Sequence, residues 1–285
     1  MTAELLNGRE LSDKLKEEMK QEVAALKEQQ HIHPHLTVIL VGDDPASKSY
    51  VRGKEKACDY TGISSDLIEL PISVSEQKLL QIIEEQNNNN DVHGILVQLP
   101  LPDHIDEQKV IHAISPLKDV DGFHPVNIGK LVNGEETFLP CTPFGILTML
   151  ESKDIDIEGK HAVIIGRSNI VGKPMGLLLL ERNATVTYCH SRTKNLREIA
   201  SEADILVVAM GRQNAVDGSY VKEGAAVIDV GINRMENGKL TGDVDFESAK
   251  EKAAYITPVP RGVGPMTITM LLKNTIKAAK GLAEK

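Results

Sequence analysis

The sequence predicts an α/β protein of two α/β domains with mainly parallel sheets, the second a Rossmann-type, doubly wound dinucleotide-binding domain. Three observations carry that expectation. Short apolar runs without polar alternation recur along the chain, as in strands covered on both faces. Stretches of helical period separate them, so the connections are crossovers and the strands parallel. In the second half, a glycine-containing turn from Gly166 to Pro174 joins one such strand to a helix. With 285 residues the chain is long enough for about two domains.

The elements follow in order. Leu11, Leu15, Met19, Val23 and Leu26 recur every three or four residues and define an amphipathic helix with charged residues opposite. The run LTVILV, Leu36 to Val41, has strand length. A polar helix is expected from Ala46 to Tyr60, a strand near Leu67 to Leu70, a helix from Ser75 to Gln86 and a strand from Gly94 to Val97. The run Asn87 to Asn90 is expected as a solvated helix end and turn. From Leu99 to Pro143 the composition turns to Pro, Gly, Asp and His (LPLPDH, SPLKDVDGFHP, LPCTP), the mark of surface loops that carry function. A helix from Pro143 to Leu150 leads into a second series, with strands at Ala162–Ile165, Thr185–Tyr188, Ile205–Ala209, Ala226–Val230 and Tyr255–Thr257. A last helix covers Thr267 to Ala283. The domain break is placed near residue 140, giving domains of 1–139 and 140–285, with the last helix a candidate to pack on the first domain.

Composition excludes several classes of partner. There are 32 Lys and Arg against 41 Asp and Glu, a formal charge of -9, so a phosphate backbone is repelled. Four Phe, five Tyr and no Trp leave no platform for stacking single-stranded bases. The longest apolar runs fall far short of the ~20 residues that span a bilayer. The opening MTAELLNGRELSDKL is mixed and charged, unlike a secretory signal, so a cytoplasmic protein is expected. Cys58, Cys141 and Cys189 stand far apart and are odd in number, which argues against a disulfide framework or a Cys-based zinc site. His31, His33 and His35 alternate around Pro34 and are expected in an exposed loop. Asp119 and Asp121 in KDVDGF have the spacing of a turn and no companion ligands, so no metal is expected.

Two regions could carry chemistry. In the second domain, the strand HAVIIG runs through Gly166-Arg167-Ser168-Asn169-Ile170-Val171-Gly172-Lys173-Pro174 into the helix MGLLLLERN. Free N–H groups and a helix dipole at such a turn favour an anion, and Pro174 suits a first helical turn. The pattern is Gly-x-Ser-x-x-x-Gly, which alone fits either a nucleotide or a plain strand–helix turn. About 24 residues after Gly166, a fold preferring NAD would place a carboxylate for the ribose hydroxyls. This chain has His190-Ser191-Arg192 there, which suits a 2′-phosphate or an ordinary polar loop. Ala209-Met210-Gly211 and Val230-Gly231-Ile232-Asn233 end two further strands at the same sheet edge. In the first domain, Tyr50 and Lys54 lie four apart, on one helix face. A lysine serves as a general base only where burial or a neighbouring cation lowers its pKa; otherwise it is a solvated charge. Gln98 ends the strand GILV, aimed at the sheet edge or bonded to local backbone.

Taken together, the segments VGDDPASKSYVRGKEKAC, VHGILVQLPLP, KDVDGFHPVNIGKL, PCTPFGI, GRSNIVGKPMG, ATVTYCHSRT and TPVPRGVGPMTITML occur in an order and spacing that cover essentially the whole chain. In them the chain resembles the bifunctional methylenetetrahydrofolate dehydrogenase/methenyltetrahydrofolate cyclohydrolase family. The resemblance implies a homodimer of two-domain subunits that binds folate in a cleft and NADP on the Rossmann domain. It implies oxidation of 5,10-methylenetetrahydrofolate followed by hydrolysis to 10-formyltetrahydrofolate in one shared site. By position it makes Lys54 the catalytic lysine that assists water attack, Gln98 the amide that tunes it, Tyr50 the aromatic along the folate ring system and Asp121 the carboxylate at the pterin's amino edge. It places Gly166, Arg167, Ser168, Ser191 and Ile232 against the cofactor. Two other readings stand beside it, a monofunctional NAD(P)-linked dehydrogenase and a non-catalytic nucleotide sensor. The retained Lys54 and Gln98 count against the first.

One segment departs from the family. Its usual Pro-Gly-Gly-Val-Gly-Pro-Met-Thr is here Pro260-Arg261-Gly262-Val263-Gly264-Pro265-Met266-Thr267. If the position needs a positive φ, Arg261 carries backbone strain of about 1 kcal/mol or more.

Overall fold

The computed structural model describes residues 3–235 and 237–284. Two compact units emerge, one of Asp13–Cys141 with Ile268–Lys285 and the other of Met1–Ser12 with Thr142–Thr267. The chain opens with a two-residue strand β1 (Glu4–Leu5), which belongs to the second unit, and the long helix α1 (Gly8–Gln30).

In the first unit, β2 (His35–Val41), β3 (Ser64–Leu70) and β4 (Gly94–Val97) form a parallel sheet in the order β3-β2-β4. Every residue of β2 after His35 and all four of β4 are buried, as the unbroken apolar runs require. Helix α2 (Pro45–Thr61) follows β2. The side chain of Asp44 accepts from the Ser47 N–H at its start, Pro45 occupies the first turn, and Gly62 stops it at φ 79. Helix α3 (Glu76–Asn88) begins where Ser75 accepts from the Lys78 N–H. It packs Leu79, Ile82 and Ile83 with Ile39, Ile95 and Val110. Two short helices, α4 (Glu107–Ala113) and α5 (Pro125–Val132), lie in the Pro- and Asp-rich stretch, capped by Asp106 and His124. After α6 (Cys141–Glu151), the chain returns to this unit only in the last helix, α10 (Val263–Ala283). There the buried Asn274 donates to the carbonyls of Val120 (2.8 Å) and Leu139 (3.0 Å).

In the second unit, β5 (His161–Ile165), β6 (Thr185–Cys189), β7 (Ile205–Val208), β8 (Ala226–Asp229) and β11 (Tyr255–Ile256) join β1 in one sheet, ordered β1-β11-β8-β7-β5-β6. All its ladders are parallel. Strand β6 flanks β5 on one side and β7 flanks it on the other, so the winding reverses at β5, the place where doubly wound folds bind nucleotides. Helices α7 (Gly172–Glu181), α8 (Leu196–Ala200) and α9 (Phe246–Ala249) and a small antiparallel pair, β9 (Asn233–Arg234) with β10 (Leu240–Thr241), complete it. The core is aliphatic and includes Val163, Ile165, Leu206, Val208, Val227 and Ile256.

Several local expectations are corrected. Residues 3–12 belong with the second unit, because Glu4 and Leu5 pair with Tyr255 and Ile256. Strand β3 starts three residues earlier than its apolar run, and Ala209, Val230 and Thr257 lie just outside their ladders. His35 is not in an exposed loop. It opens β2, half-buried, with Nε2 3.0 Å from the Asp66 carboxylate. Asn87 is more than a solvated helix end, since its Nδ2 donates to the Ala113 carbonyl (2.7 Å) and its Oδ1 accepts from the Ser115 N–H (2.8 Å).

Cys58, Cys141 and Cys189 are free and buried. Among the described residues no helix is long and apolar enough to cross a membrane. Nor do any three His, Cys, Asp or Glu among them stand together as a metal site.

Candidate active site and cofactor loops

Helix α2 starts its polar face at solvent and then turns one lysine inward. Lys54 is only 7% exposed. Its Nζ donates to Gln98 Oε1 at 2.9 Å. Gln98, just past β4, is itself fixed: its N–H donates to the Ile39 carbonyl (2.9 Å) and its Nε2 to the Leu99 carbonyl (2.6 Å). The amide oxygen is therefore left to face the amine.

Burial pushes the Lys54 ammonium's pKa below the ordinary value, because the charged form loses water. Asp121 opposes that shift, followed by Cys141 and Cys58. Burial in turn raises the Asp121 carboxyl, with the Lys54 charge pulling it back down. The Cys141 thiol donates to the Val120 carbonyl (3.3 Å), and the Cys141 N–H donates to the Asp121 carbonyl (3.3 Å). Lys54 thus bonds Gln98 and feels the charge of Asp121. Tyr50 stands one helical turn from Lys54 with its ring 36% exposed.

Asp119, whose spacing to Asp121 fits a turn, holds that turn together. It is 2% exposed and accepts from the N–H groups of Phe123 (3.2 Å) and His124 (2.8 Å) and from Asn127 Nδ2 (2.7 Å). Thr137 Oγ1 donates to Asn127 Oδ1 (2.9 Å). Asp119 therefore closes the loop that carries Asp121. The Asp-x-x-Gly turn was the available signal, since Asp commonly bonds backbone N–H groups ahead of it.

The phosphate-loop candidate in the second unit is a close backbone crossing. Gly166 has φ 142, and a Cβ there would sit 2.4 Å from the Ala209 carbonyl oxygen. A Cβ on Gly172 would sit 2.5 Å from the Gly166 carbonyl oxygen. A side chain at either position would wedge the loop open. Ser168 Oγ accepts from the N–H groups of Val171 (3.2 Å) and Gly172 (3.3 Å), and the Ser168 carbonyl accepts from Lys173 (3.1 Å). The start of α7 is thus less open than the sequence suggests: Ser168 caps it, which leaves the serine O–H as a donor outward. Arg167, Ser168, Asn169 and Ile170 are exposed.

After β6 the chain makes a tight turn, in which the His190 N–H donates to Thr193 Oγ1 (2.8 Å) and the Arg192 N–H to His190 Nδ1 (3.2 Å). Ser191 and Arg192 are exposed, and no carboxylate lies between Cys189 and Thr193. Ile232, after β8, is 48% exposed. A dinucleotide's phosphates and a 2′-phosphate find donors and no repelling acid here, so these residues fit NADP.

Residues 6–121 match the catalytic domain of the tetrahydrofolate dehydrogenase/cyclohydrolase family, and residues 140–283 its NAD(P)-binding domain. The bifunctional protein FolD of Oceanobacillus iheyensis is 75% identical over 280 residues, 98% of each chain. The crystal structure of the bifunctional FolD methylenetetrahydrofolate dehydrogenase/cyclohydrolase of Campylobacter jejuni is 53% identical, with a TM-score of 0.96 over 98% of this chain and 99% of that one. The Trypanosoma brucei methylenetetrahydrofolate dehydrogenase-cyclohydrolase, solved with NADP cofactor and an inhibitor, is 39% identical. Its TM-score is 0.94 over 99% of this chain and 98% of that one.

Proposed function

The chain belongs to the tetrahydrofolate dehydrogenase/cyclohydrolase family, and from that we infer an enzyme with both of the family's activities. It oxidises 5,10-methylenetetrahydrofolate to 5,10-methenyltetrahydrofolate with NADP, then adds water and opens the ring to 10-formyltetrahydrofolate, releasing a proton. When bound, NADP supplies the hydride acceptor. Everything else falls to the chain's own side chains.

The assignment of residues is our proposal, and the buried Lys54–Gln98 pair carries it. Hydrolysis needs a group that takes a proton from water beside a cationic substrate. An ordinary lysine is charged at neutral pH and would repel that cation. Burial shifts Lys54 toward its neutral form, and Gln98, by accepting from Nζ, holds the amine in place without adding charge. Asp121 offers a half-buried carboxylate that can accept from an amino edge of the pterin, and Tyr50 a half-open ring for it to lie against. Arg167, Ser168 and Ser191 would hold the cofactor's phosphates, with Gly166 admitting the backbone approach and Ile232 covering an apolar face.

We also propose that the enzyme works in the cytoplasm as a homodimer, as its family resemblance implies. Light scattering tests the second point by returning the mass of two 31.1 kDa chains.

The direct test of the site is Lys54→Met, which keeps the stem and removes the amine. Hydrolysis of supplied methenyltetrahydrofolate is expected to fall at least ~100-fold, the scale of a positioned acid–base group. Hydrolysis within a few fold of wild type would remove Lys54 from the mechanism.

A further inference from the structure

We propose that Asp243 is the positioning residue of the cofactor rim: its carboxylate clasps the turn after β7 to the turn after β8 and so fixes the backbone that meets the dinucleotide. The proposal rests on the reading of this unit as NADP-binding.

Asp243 is fully buried, at 0% exposure. Its Oδ2 accepts from the N–H groups of Met210 (2.6 Å) and Gly211 (2.8 Å). Its Oδ1 accepts from the Arg212 N–H (2.8 Å) and from Asn233 Nδ2 (2.9 Å). Three consecutive N–H groups of the turn after β7 therefore converge on one carboxylate. Across it lies the turn after β8. A Cβ on Gly231 would sit 2.4 Å from the Asp243 carboxyl carbon.

A second carboxylate fixes Asp243 from behind. Asp229, the last residue of β8, accepts through Oδ1 from the N–H groups of Gly231 (2.9 Å) and Asp243 (3.0 Å), and through Oδ2 from Val244 (2.9 Å). The approach is so close that a Cβ on Gly242 would sit 1.7 Å from Asp229 Oδ2.

Chemistry demands a carboxylate at 243. Each of its oxygens meets two N–H donors, so an amide, flipped either way, would set its own NH2 against two donors. What the clasp holds is surface. Gly211, Arg212 and Ile232 are exposed, at the carboxyl edge of the parallel strands where dinucleotides lie. A carboxylate serving the core alone would have no reason to order an open rim.

The test titrates NADPH, followed by its fluorescence, into wild type and three variants, with hydrolysis of methenyltetrahydrofolate and thermal unfolding read on the same samples. Asp243→Asn is expected to weaken NADPH at least ~10-fold, the effect of losing about one charge-assisted bond. The pair swap Asp243→Asn with Asn233→Asp lets the new amide donate to a new carboxylate, and is expected to recover part of that loss. Asn233→Ala, which removes one of four donors and spares the fold, is expected to weaken NADPH a few fold. Affinity within twofold of wild type in all three variants overturns the proposal. So does a parallel loss of NADPH binding and hydrolysis, which would make Asp243 a pillar of the whole fold. A wild type that hydrolyses methenyltetrahydrofolate but takes up no NADPH would overturn the underlying cofactor reading, and the proposal with it.

Discussion

Lys54, proposed above as the lysine that assists hydrolysis, is also a cost to the fold. Its pKa is lowered by burial, which makes the charged ammonium costlier in the folded state than in the unfolded chain. For a base shifted down, the unfolded chain binds more protons. Stability is therefore lowered at neutral pH and regained only as pH rises from the depressed folded value toward 10.5. Lys54→Met is thus expected to melt at a higher temperature than wild type at pH 7 while hydrolysis is lost, a trade seen where function strains a fold. A lower melting temperature would contradict the account of burial. Arg261 has φ 85, the positive value that its departure from a family glycine raised as a question. The other described positive-φ residues besides glycine are His31, Asp154, Asn183, Asn195 and Asn214, types that tolerate this region. Arg261 is held there by its carbonyl, which accepts from the Arg9 N–H (3.0 Å). Arg261→Gly is expected to gain up to ~1 kcal/mol and Arg261→Val to lose at least as much, read from denaturant midpoints. Equal midpoints would show that the backbone relaxes. Lys54 was visible as a position on a helix face, but its burial was not. A lysine on a polar helix looks solvated until the elements covering it are known.

Among the elements, strand β5, its turn and helix α7 were legible because three signals agree within a short window: an unbroken apolar run, glycines and a proline at the helix start. Strand β1 was not, since two residues hold no periodicity and its partner β11 lies far along the chain. The Asp229–Asp243 clasp was invisible for the same reason: its donors come from turns at 210–212 and 231–233. The loop's expected specificity rests on charge. Ser191 and Arg192 stand exposed where an NAD-type fold keeps an acid, and Arg167 is exposed on the turn from Gly166 to Pro174. Arg167→Ala is expected to raise KM for NADP at least tenfold and to leave the weak use of NAD nearly unchanged, since only NADP carries the 2′-phosphate. An equal loss for both cofactors would move Arg167 to the shared phosphates.

At the scale of the molecule, function was legible because many weak motifs, spread over both units, agree on one family, although none suffices alone. The balance of buried charge was not legible, and it shapes stability. Burial raises the Asp229 carboxyl from 3.8 to about 6, against the pull of three backbone N–H groups. For an acid shifted up, stability is fully present below the unfolded value and is lost as pH rises through the folded one, here between about 4 and 6. The window amounts to about 3 kcal/mol at 1.36 kcal/mol per pH unit. Asp229→Asn cannot ionise, so its stability relative to wild type is expected to improve from pH 4 to pH 7.5; a constant difference would contradict the shift. The central claim, that this one chain runs both reactions with NADP, has its own direct measurement. Purified protein is given 5,10-methylenetetrahydrofolate and either NADP or NAD, and absorbance of reduced nicotinamide and of methenyltetrahydrofolate is followed together. With NADP, reduced nicotinamide is expected to outrun methenyltetrahydrofolate as 10-formyltetrahydrofolate forms, and with NAD both signals are expected to rise far more slowly. Methenyltetrahydrofolate accumulating one-for-one with reduced nicotinamide, or turnover favouring NAD, would contradict it.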